Sequence, residues 1–200
     1  MIRNALPEDL PAIVTLHRQY LGEYFLARLG EAFLQLYYRE FLNAPSCRIL
    51  LWENTGQIRG YIVASRNPAL IIKKMAWGRS FAIIKELLKH GLKHPEDWIQ
   101  IFELALYPQK TTEPQIKAEL LYIALDAGER KSGAAETLVL EALTWLEQQG
   151  ETMVKVSTAS DNRGANLLLH KLGFSPGESF RLNQKLQNLY LGEIKTILNH

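Results

Sequence analysis

The 200-residue sequence predicts an α/β (α+β) fold around one mixed sheet. Three observations predict it. Short apolar runs rich in Ile, Val, Leu and Tyr, among them "CRILLWE", "IRGYIVAS", "AELLYIAL" and "TMVKVS", have the length and composition of strands. Longer stretches with apolar residues at helical spacing lie between many of them. The two kinds alternate, without a repeat or a low-complexity tract, and alternation is the mark of layered α and β elements.

The elements follow in order. "MIRNA" opens as a strand. "LPEDLPAIVTLHRQYL" reads as a helix: Pro7 suits its start, Asp9 complements the N-terminal dipole, and Leu10, Ile13, Val14, Leu16 and Leu21 supply an apolar stripe. "YFLARLGEAFLQLYYREFL" is a second helical segment, interrupted near Gly30. "CRILLWE" and "IRGYIVAS" are separated by "NTGQ", where Asn54 and Gly56 predict a hairpin. The stretch 67–117 is less regular. "GRSFAIIKELLKHGL" and "HPEDWIQIFELALY" read as helices, the second with Pro95 near N1 and Asp97 in its first turn, and Gly91 and Pro95 are expected to break the helix between His90 and His94. "PQKTTEPQIK" is a polar, proline-flanked loop. "AELLYIAL" is a buried strand, followed by "GERKSGAAETLV" and a helix that Gly150 ends. "TMVKVS" is a strand, and "NRGANLLLHKLGF" is a helix with Ala165, Leu168, Leu169 and Leu172 on one face and Gly173 as its cap. "FSPGESFRL" and "KLQNLYL" are strand-like.

Composition narrows the classes. Two hundred residues suit one domain with a full core. Lys plus Arg number 23 against 21 Asp plus Glu, a balance that argues for neither a nucleic acid nor a polybasic membrane partner. The single cysteine, Cys47, excludes an internal disulfide framework, and its strand setting predicts a buried thiol. The start "MIRNALPEDL" has no signal-peptide pattern, and no apolar run nears the ~18 residues of a membrane span, so a cytoplasmic protein is expected. His17, His90, His94, His170 and His200 show no metal-ligand spacing.

The stretch 128–139 is the most informative. Large side chains are missing where a helix should begin: Ser132, Gly133, Ala134 and Ala135 follow Arg130 and Lys131. A strand, a short loop and a helix N-terminus make an anion site, because first-turn N–H groups lack intrahelical partners and the dipole adds positive charge. Small residues let a phosphate approach. They also serve close packing in a tight turn, and composition alone does not separate the two.

"ERKSGAAETL" resembles the acyl-CoA-binding motif [RQ]-x-x-G-x-[GA] of the GCN5-related N-acetyltransferase (GNAT) family, with Arg130, Gly133 and Ala135 at the specified positions. "NRGANLLLHKLGF" resembles the family's N-x-x-A-x-x-L-[Y]-x-K-x-G-F signature through Asn162, Ala165, Leu168, Lys171, Gly173 and Phe174. "IRNALPEDLPAIVTLH" looks like its first strand and helix. The match is good over 119–174 and looser over 1–65. The resemblance implies a GNAT-like fold: a mixed, mostly antiparallel sheet flanked by helices, with 1–200 as one acyl-CoA-binding domain and a helical insertion over about 66–117, before the fourth strand.

It also implies the chemistry: transfer of an acetyl group from acetyl-CoA to an amine by direct attack, with no metal. Such a reaction is helped by a base for the amine, a donor for the developing oxyanion and an acid for the thiolate. The resemblance places Ile123, Ala124 and Leu125 against pantetheine and thioester, with backbone N–H groups, that of Leu125 foremost, as oxyanion donors. It places Arg130, Lys131, Ser132, Gly133, Ala134 and Ala135 around the pyrophosphate. Glu119 is the candidate base, or else a solvated charge at a strand entrance. Asp126 sits closer to the motif, in the loop, and reads as a residue that shapes the turn. Asn162 is a CoA contact, a helix N-cap, or both. One departure stands out: the signature tyrosine, the family's acid toward sulfur, is Leu169 here. His170 lies about 100° further round the helix, and Tyr107, Tyr122 and Tyr190 are the remaining substitutes. The expected partner is a small-molecule or peptide amine, with no nucleic acid and no membrane span, and a homodimer stays open. The alternative is a catalytically degenerate acyl-CoA sensor or partner module, motivated by Leu169.

Overall fold

The computed structural model describes residues 1–75, 81–103, 113, 115–182 and 185–199. Its strands are β1 (Ile2–Asn4), β2 (Cys47–Asn54), β3 (Gln57–Ser65), β4 (Glu119–Leu125), β5 (Met153–Ala159), β6 (Ser175–Pro176), β7 (Phe180–Leu182) and β8 (Lys185–Glu193). Its helices are α1 (Leu10–Tyr20), α2 (Phe25–Arg28), α3 (Glu31–Leu42), α4 (Pro68–Lys74), α5 (Phe81–Lys93), α6 (helical residues 98–103), α7 (Ala134–Gln148), α8 (Arg163–Lys171) and α9 (Ile194–Leu198).

The strands form one eight-stranded mixed sheet, ordered β1-β2-β3-β4-β5-β8-β6, with β7 also paired to β8. Among the described strands only β4 and β5 run parallel, and the other pairs are antiparallel. The β2–β3 hairpin turns through Thr55 (φ 50°) and Gly56 (φ 72°). Two consecutive positive φ values match the twist of the flanking strands, as the Asn54-to-Gly56 pattern predicts.

Period-two alternation builds a core on each face. In β3, Tyr61 and Val63 face α1, α2 and α3, packing with Ile13, Val14, Phe33, Leu34 and Phe41. Ile62 and Ala64 face α7, α8 and α9, packing with Leu138, Leu143, Leu169 and Ile194. Helix ends fall where glycine permits left-handed backbone. Gly150 (φ 85°) follows α7 and Gly173 (φ 83°) follows α8. Glu151 N–H donates to Leu146 O and Phe174 N–H to Leu169 O, closing each helix with a six-to-one bond.

Several expectations change. Asp9 does more than complement a dipole. It is buried, forms a bidentate pair with Arg3 at 2.7 and 2.9 Å, and accepts from Leu6 N–H at 2.8 Å, so it ties the first helix to β1. The Arg3 guanidinium holds the Asp9 carboxyl below its usual range. Two helices, α4 and α9, carry no helical reading in the sequence. Gly91 does not break α5, which runs on to Lys93. A Cβ at Gly91 would lie 2.5 Å from the Trp98 ring, so the glycine is there to seat the indole of α6. The predicted loop "PQKTTEPQIK" and the end of "HPEDWIQIFELALY" lie largely outside the described residues, as do Tyr107 and His200. Cys47 is half-buried, and burial pushes its thiol up.

Gly91→Ala tests the Trp98 contact. Alanine in a helix interior normally gains about 0.5–1 kcal/mol over glycine, whereas overpacking costs about 1–3 kcal/mol. The variant is expected to be net destabilised, read as a lower urea midpoint with an unchanged slope.

Candidate active site

The site is created by a pairing that stops early. β4 and β5 are in register only at Glu119 with Lys155 and Leu120 with Val156. Beyond these positions both strands continue without each other, β4 to Leu125 on β3 and β5 to Ala159 on β8. A register shift between Val63 and Ala64 leaves Leu121 as an extra residue in β4, and such bulges bend a strand. A cavity of about 360 Å³ occupies the opening. Leu120–Ile123 line it from β4, Val156–Ala159 from β5, Asn162, Ala165, Leu168 and Leu169 from the α8 side, and His17, Tyr24 and Tyr37 from the α1–α3 side.

The direction of the free backbone groups follows from one bond. Asp126 N–H donates to Arg59 O at 2.7 Å, so it points toward β3. N–H groups alternate along an antiparallel ladder. Tyr122 and Ala124 therefore donate toward β3, and Ile123 and Leu125 direct theirs toward the opening. Opposite Leu125 stands Gly60, where a Cβ would lie 2.3 Å from Leu125 Cδ2, so the missing side chain gives Leu125 its place. The side chain of Ala124 is buried in the core against α1.

The turn after β4 is held from three directions. Asp126 accepts from Gly128 N–H at 2.9 Å and pairs with Arg59 at 3.2 Å, contacts that lower its pKa. Glu129 accepts from Trp52 Nε1 at 2.9 Å and Asn54 Nδ2 at 2.8 Å, both on β2. Ala127 N–H donates to the Tyr20 hydroxyl at 3.2 Å, from α1. Lys131 (φ 65°) and Gly133 (φ 86°) then turn the chain into α7 through left-handed backbone. Ser132 Oγ accepts from Ala134 N–H at 3.2 Å. Arg130, Lys131, Ser132 and Gly133 are exposed, Ala135 is half-buried, and Ala134 is buried. A Cβ at Gly133 would meet nothing within 4 Å, so the helix N-terminus is open to an incoming group.

The structure brings some candidate residues together and separates others. Ile123 and Asn162 both line the cavity. Asn162 also caps α8, accepting from Ala165 N–H at 3.2 Å. Leu169 is buried and lines the cavity, whereas His170 is exposed and lies 3.3 Å from the Tyr190 hydroxyl. Tyr190 bonds Asn166 at 2.8 Å and is not in the cavity wall. Tyr122 is in the wall, its hydroxyl 2.9 Å from that of Tyr37 and its pKa pushed up to about 12 by burial. Glu119 is buried at the closed end of the β4–β5 pair, opposite Lys155, and does not line the cavity. Its charge raises the Lys155 pKa against a larger lowering by burial.

Tyr24 and His17 are among the wall residues that escaped the sequence reading. Tyr24, in the turn before α2, shares the cavity wall with Asn162, and burial raises its pKa against a smaller lowering by the Asn162 side chain. His17, one histidine among five in the sequence, is fully buried. Its Nδ1 lies 2.6 Å from the Tyr38 hydroxyl and 3.1 Å from the Tyr61 hydroxyl, which are 2.7 Å apart. Three contacts meet two hydroxyl protons, and His17 joins the network either by accepting at Nδ1 or by donating from it, with two hydrogen bonds linking the three groups in each case. Nε2 is buried without a hydrogen-bond partner among the described residues. Desolvation pushes the His17 pKa down to about 4, which keeps the ring neutral. The only sequence signal was its place on the apolar face of α1. Among the described residues no cluster of three or more His, Cys, Asp or Glu could hold a metal, and no helix is long and apolar enough to cross a membrane.

His17 makes stability depend on pH. The unfolded ring takes its proton near pH 6.5 and the folded one near 4. Its contribution is therefore complete above about pH 6.5 and is lost as pH falls toward 4, by an amount on the order of 3 kcal/mol. His17→Gln is expected to lack this part of the acid-side decline, measured as urea midpoints from pH 7 to pH 4.

Comparison with known proteins gives the same architecture. Residues 12–174 match the model of the family described as acetyltransferase (GNAT). None of the curated proteins matches the chain in sequence. Among solved structures, a ribosomal-protein-alanine N-acetyltransferase from Brucella melitensis aligns over 96% of this chain and 99% of its own, with TM-score 0.63 and 14% identity. The spermidine/spermine N-acetyltransferase SpeG from Vibrio cholerae aligns over 100% and 96%, with TM-score 0.60 and 15% identity. The yncA protein from Salmonella typhimurium, solved with acetyl-CoA, aligns over 97% and 93%, with TM-score 0.61 and 12% identity. At these identities the likeness is one of fold.

Proposed function

The chain belongs to the GNAT family of acetyltransferases, and on that footing we propose that it transfers the acetyl group of acetyl-CoA to a primary amine by direct attack, with residues 1–200 acting as one domain and 66–117 as its helical insertion. The observation that carries this reading is the cavity in the β4–β5 opening, with the turn 130–135 leading from the same strand into α7. The residues fit the cosubstrate. Gly133 leaves open the space that a side chain would fill, and first-turn N–H groups with the α7 dipole favour phosphate. Arg130 and Lys131 add exposed positive charge. Acetyl-CoA, when bound, supplies the acyl group as an activated thioester.

The chain's own residues do the rest. The Ile123 and Leu125 N–H groups, aimed into the opening, are proposed to stabilise negative charge developing on the carbonyl oxygen. Asn162 orients the bound molecule from the N-terminus of α8. Leu169 occupies the wall position where the family signature carries tyrosine and cannot donate a proton. Tyr24 and Tyr122, the tyrosines that line the cavity beside Tyr37, keep their protons at neutral pH and are the proposed donors. The base for the amine is proposed among groups that reach the cavity directly or through water. Glu119 would need such a relay from its place outside the wall. A thiol-release assay with acetyl-CoA and a panel of small and peptide amines tests the proposal. Saturable binding without release for any amine would favour the acyl-CoA sensor instead.

Gly133 has a matched control. Gly133 and Gly150 have nearly equal φ, 86° and 85°, and in both a Cβ would meet nothing within 4 Å. Valine strains the backbone alike at either position. Gly133→Val is expected to weaken acetyl-CoA binding at least tenfold and Gly150→Val to leave it near the parent value, by calorimetric titration of folded protein.

Leu169→Tyr supplies a hydroxyl at the buried wall position. A thiol has a pKa of about 8.5, so its anion leaves without a strong acid, and general acid catalysis adds at most roughly 10²–10⁴-fold. Where thiol departure limits turnover, Leu169→Tyr is expected to exceed Leu169→Phe in kcat with similar acetyl-CoA affinity.

A further inference from the structure

Helix α5 is apolar on two sides, and the described residues cover only one. Ile83 is buried, Leu87 packs against the core, and Gly91 seats Trp98. On the other side Phe81, Ile84, Leu88 and Leu92 follow one another at i, i+3, i+7 and i+11, a single stripe along the helix. Phe81 is 79% exposed, Leu88 49% and Leu92 81%. Six of the ten large apolar side chains exposed among the described residues lie in the same β3–β4 connection, Leu70, Ile99 and Phe102 being the others. A helix hydrophobic on both faces is ordinarily covered on both.

The flank of the stripe indicates what covers it. Lys85, Lys89 and Lys93 each follow a stripe residue by one position and form a continuous exposed row along one side. The acidic residue nearest this row on the helix, Glu86, pairs with Lys89 at 3.7 Å. Lys73 and Lys74 add exposed positive charge on α4. A second copy of the chain is a poor occupant, because antiparallel pairing of two such helices would set lysine row against lysine row. Among the described residues only α5 lines this face, and no second element forms an opposing apolar wall. A lipid surface accepts such a face without a complementary groove: the apolar side chains enter the acyl boundary while lysine stems reach the headgroups.

We propose that α5 docks the protein on an anionic membrane surface through Phe81, Ile84, Leu88 and Leu92, with Lys85, Lys89 and Lys93 at the headgroups. The same connection supplies Ile72 and Gln100 to the wall of the cavity, so docking and the site share one structural unit. The near-neutral balance of the whole chain conceals this local row.

Sedimentation of the full chain with vesicles tests the proposal without reference to acetyl transfer. The protein is expected to sediment with equal mixtures of phosphatidylcholine and phosphatidylglycerol, and far less with phosphatidylcholine alone. K85Q/K89Q/K93Q should weaken partitioning roughly 100-fold, since each lysine near an anionic surface contributes on the order of 1 kcal/mol. L88S/L92S should abolish it, with circular dichroism unchanged because both side chains are exposed. Failure of the parent to sediment with the anionic vesicles overturns the proposal, as does binding that survives both variants. It is also overturned if the parent is a dimer that L88S/L92S converts to monomer, or if only a soluble polyglutamate peptide is retained.

Discussion

The candidate site depends on one parallel strand pair that lets go after two residues. β4 and β5 are joined at Glu119–Lys155 and Leu120–Val156 and then diverge. Had the pairing continued, the N–H groups of Ile123 and Leu125 would have been spent on β5. Because it stops, the middle of an eight-stranded sheet contains an interior edge. A buried edge is costly unless its polar groups find partners. This one borders a cavity in which a ligand can supply them. The Leu121 bulge, the cavity and the placement of α8 across the opening follow from that divergence.

The turn that follows β4 is the second part of the arrangement. Tyr20, Trp52, Asn54 and Arg59 come from three different elements and hold residues 126–129. The chain then enters left-handed backbone at Lys131 and Gly133 with its conformation already set. A turn ordered in advance loses less entropy when it closes around a phosphate. In the proposed phosphate site, exposed cations would contribute as screened charges, and the geometry of the amides would outweigh the number of lysines and arginines.

The inner part of the other wall, where His17, Tyr37 and Tyr122 line the cavity, is aromatic, and Glu23, Arg28 and Lys185 line it elsewhere. Tyr37, Tyr38, Tyr61, Tyr122 and His17 are joined by hydroxyl contacts and edge-on rings. Burial keeps Tyr38, Tyr61 and Tyr122 protonated and the imidazole uncharged. This aromatic cluster offers hydrogen-bond donors to the cavity at neutral pH. Leu169 on the opposite wall offers none.

Local chemistry was legible in the sequence wherever a single stretch determined its own backbone. The hairpin at Asn54–Gly56, the caps at Gly150, Asn162 and Gly173, and the small-residue turn before α7 are all of this kind, since φ preferences and first-turn amides act within a few residues. The family motif added the expectation of a CoA contact at Asn162 and of an acid position filled by Leu169, and both residues line the cavity. Tertiary structure decided what depends on distant partners. It set Glu119 away from the cavity and put Gly91 beneath Trp98 rather than at a helix end. It brought Tyr24 to Asn162 and closed His17, Tyr38 and Tyr61 into one network. Residues 44 positions apart, as His17 and Tyr61 are, share no pattern that spacing can reveal. Only the packing of α1 on β3 makes them neighbours.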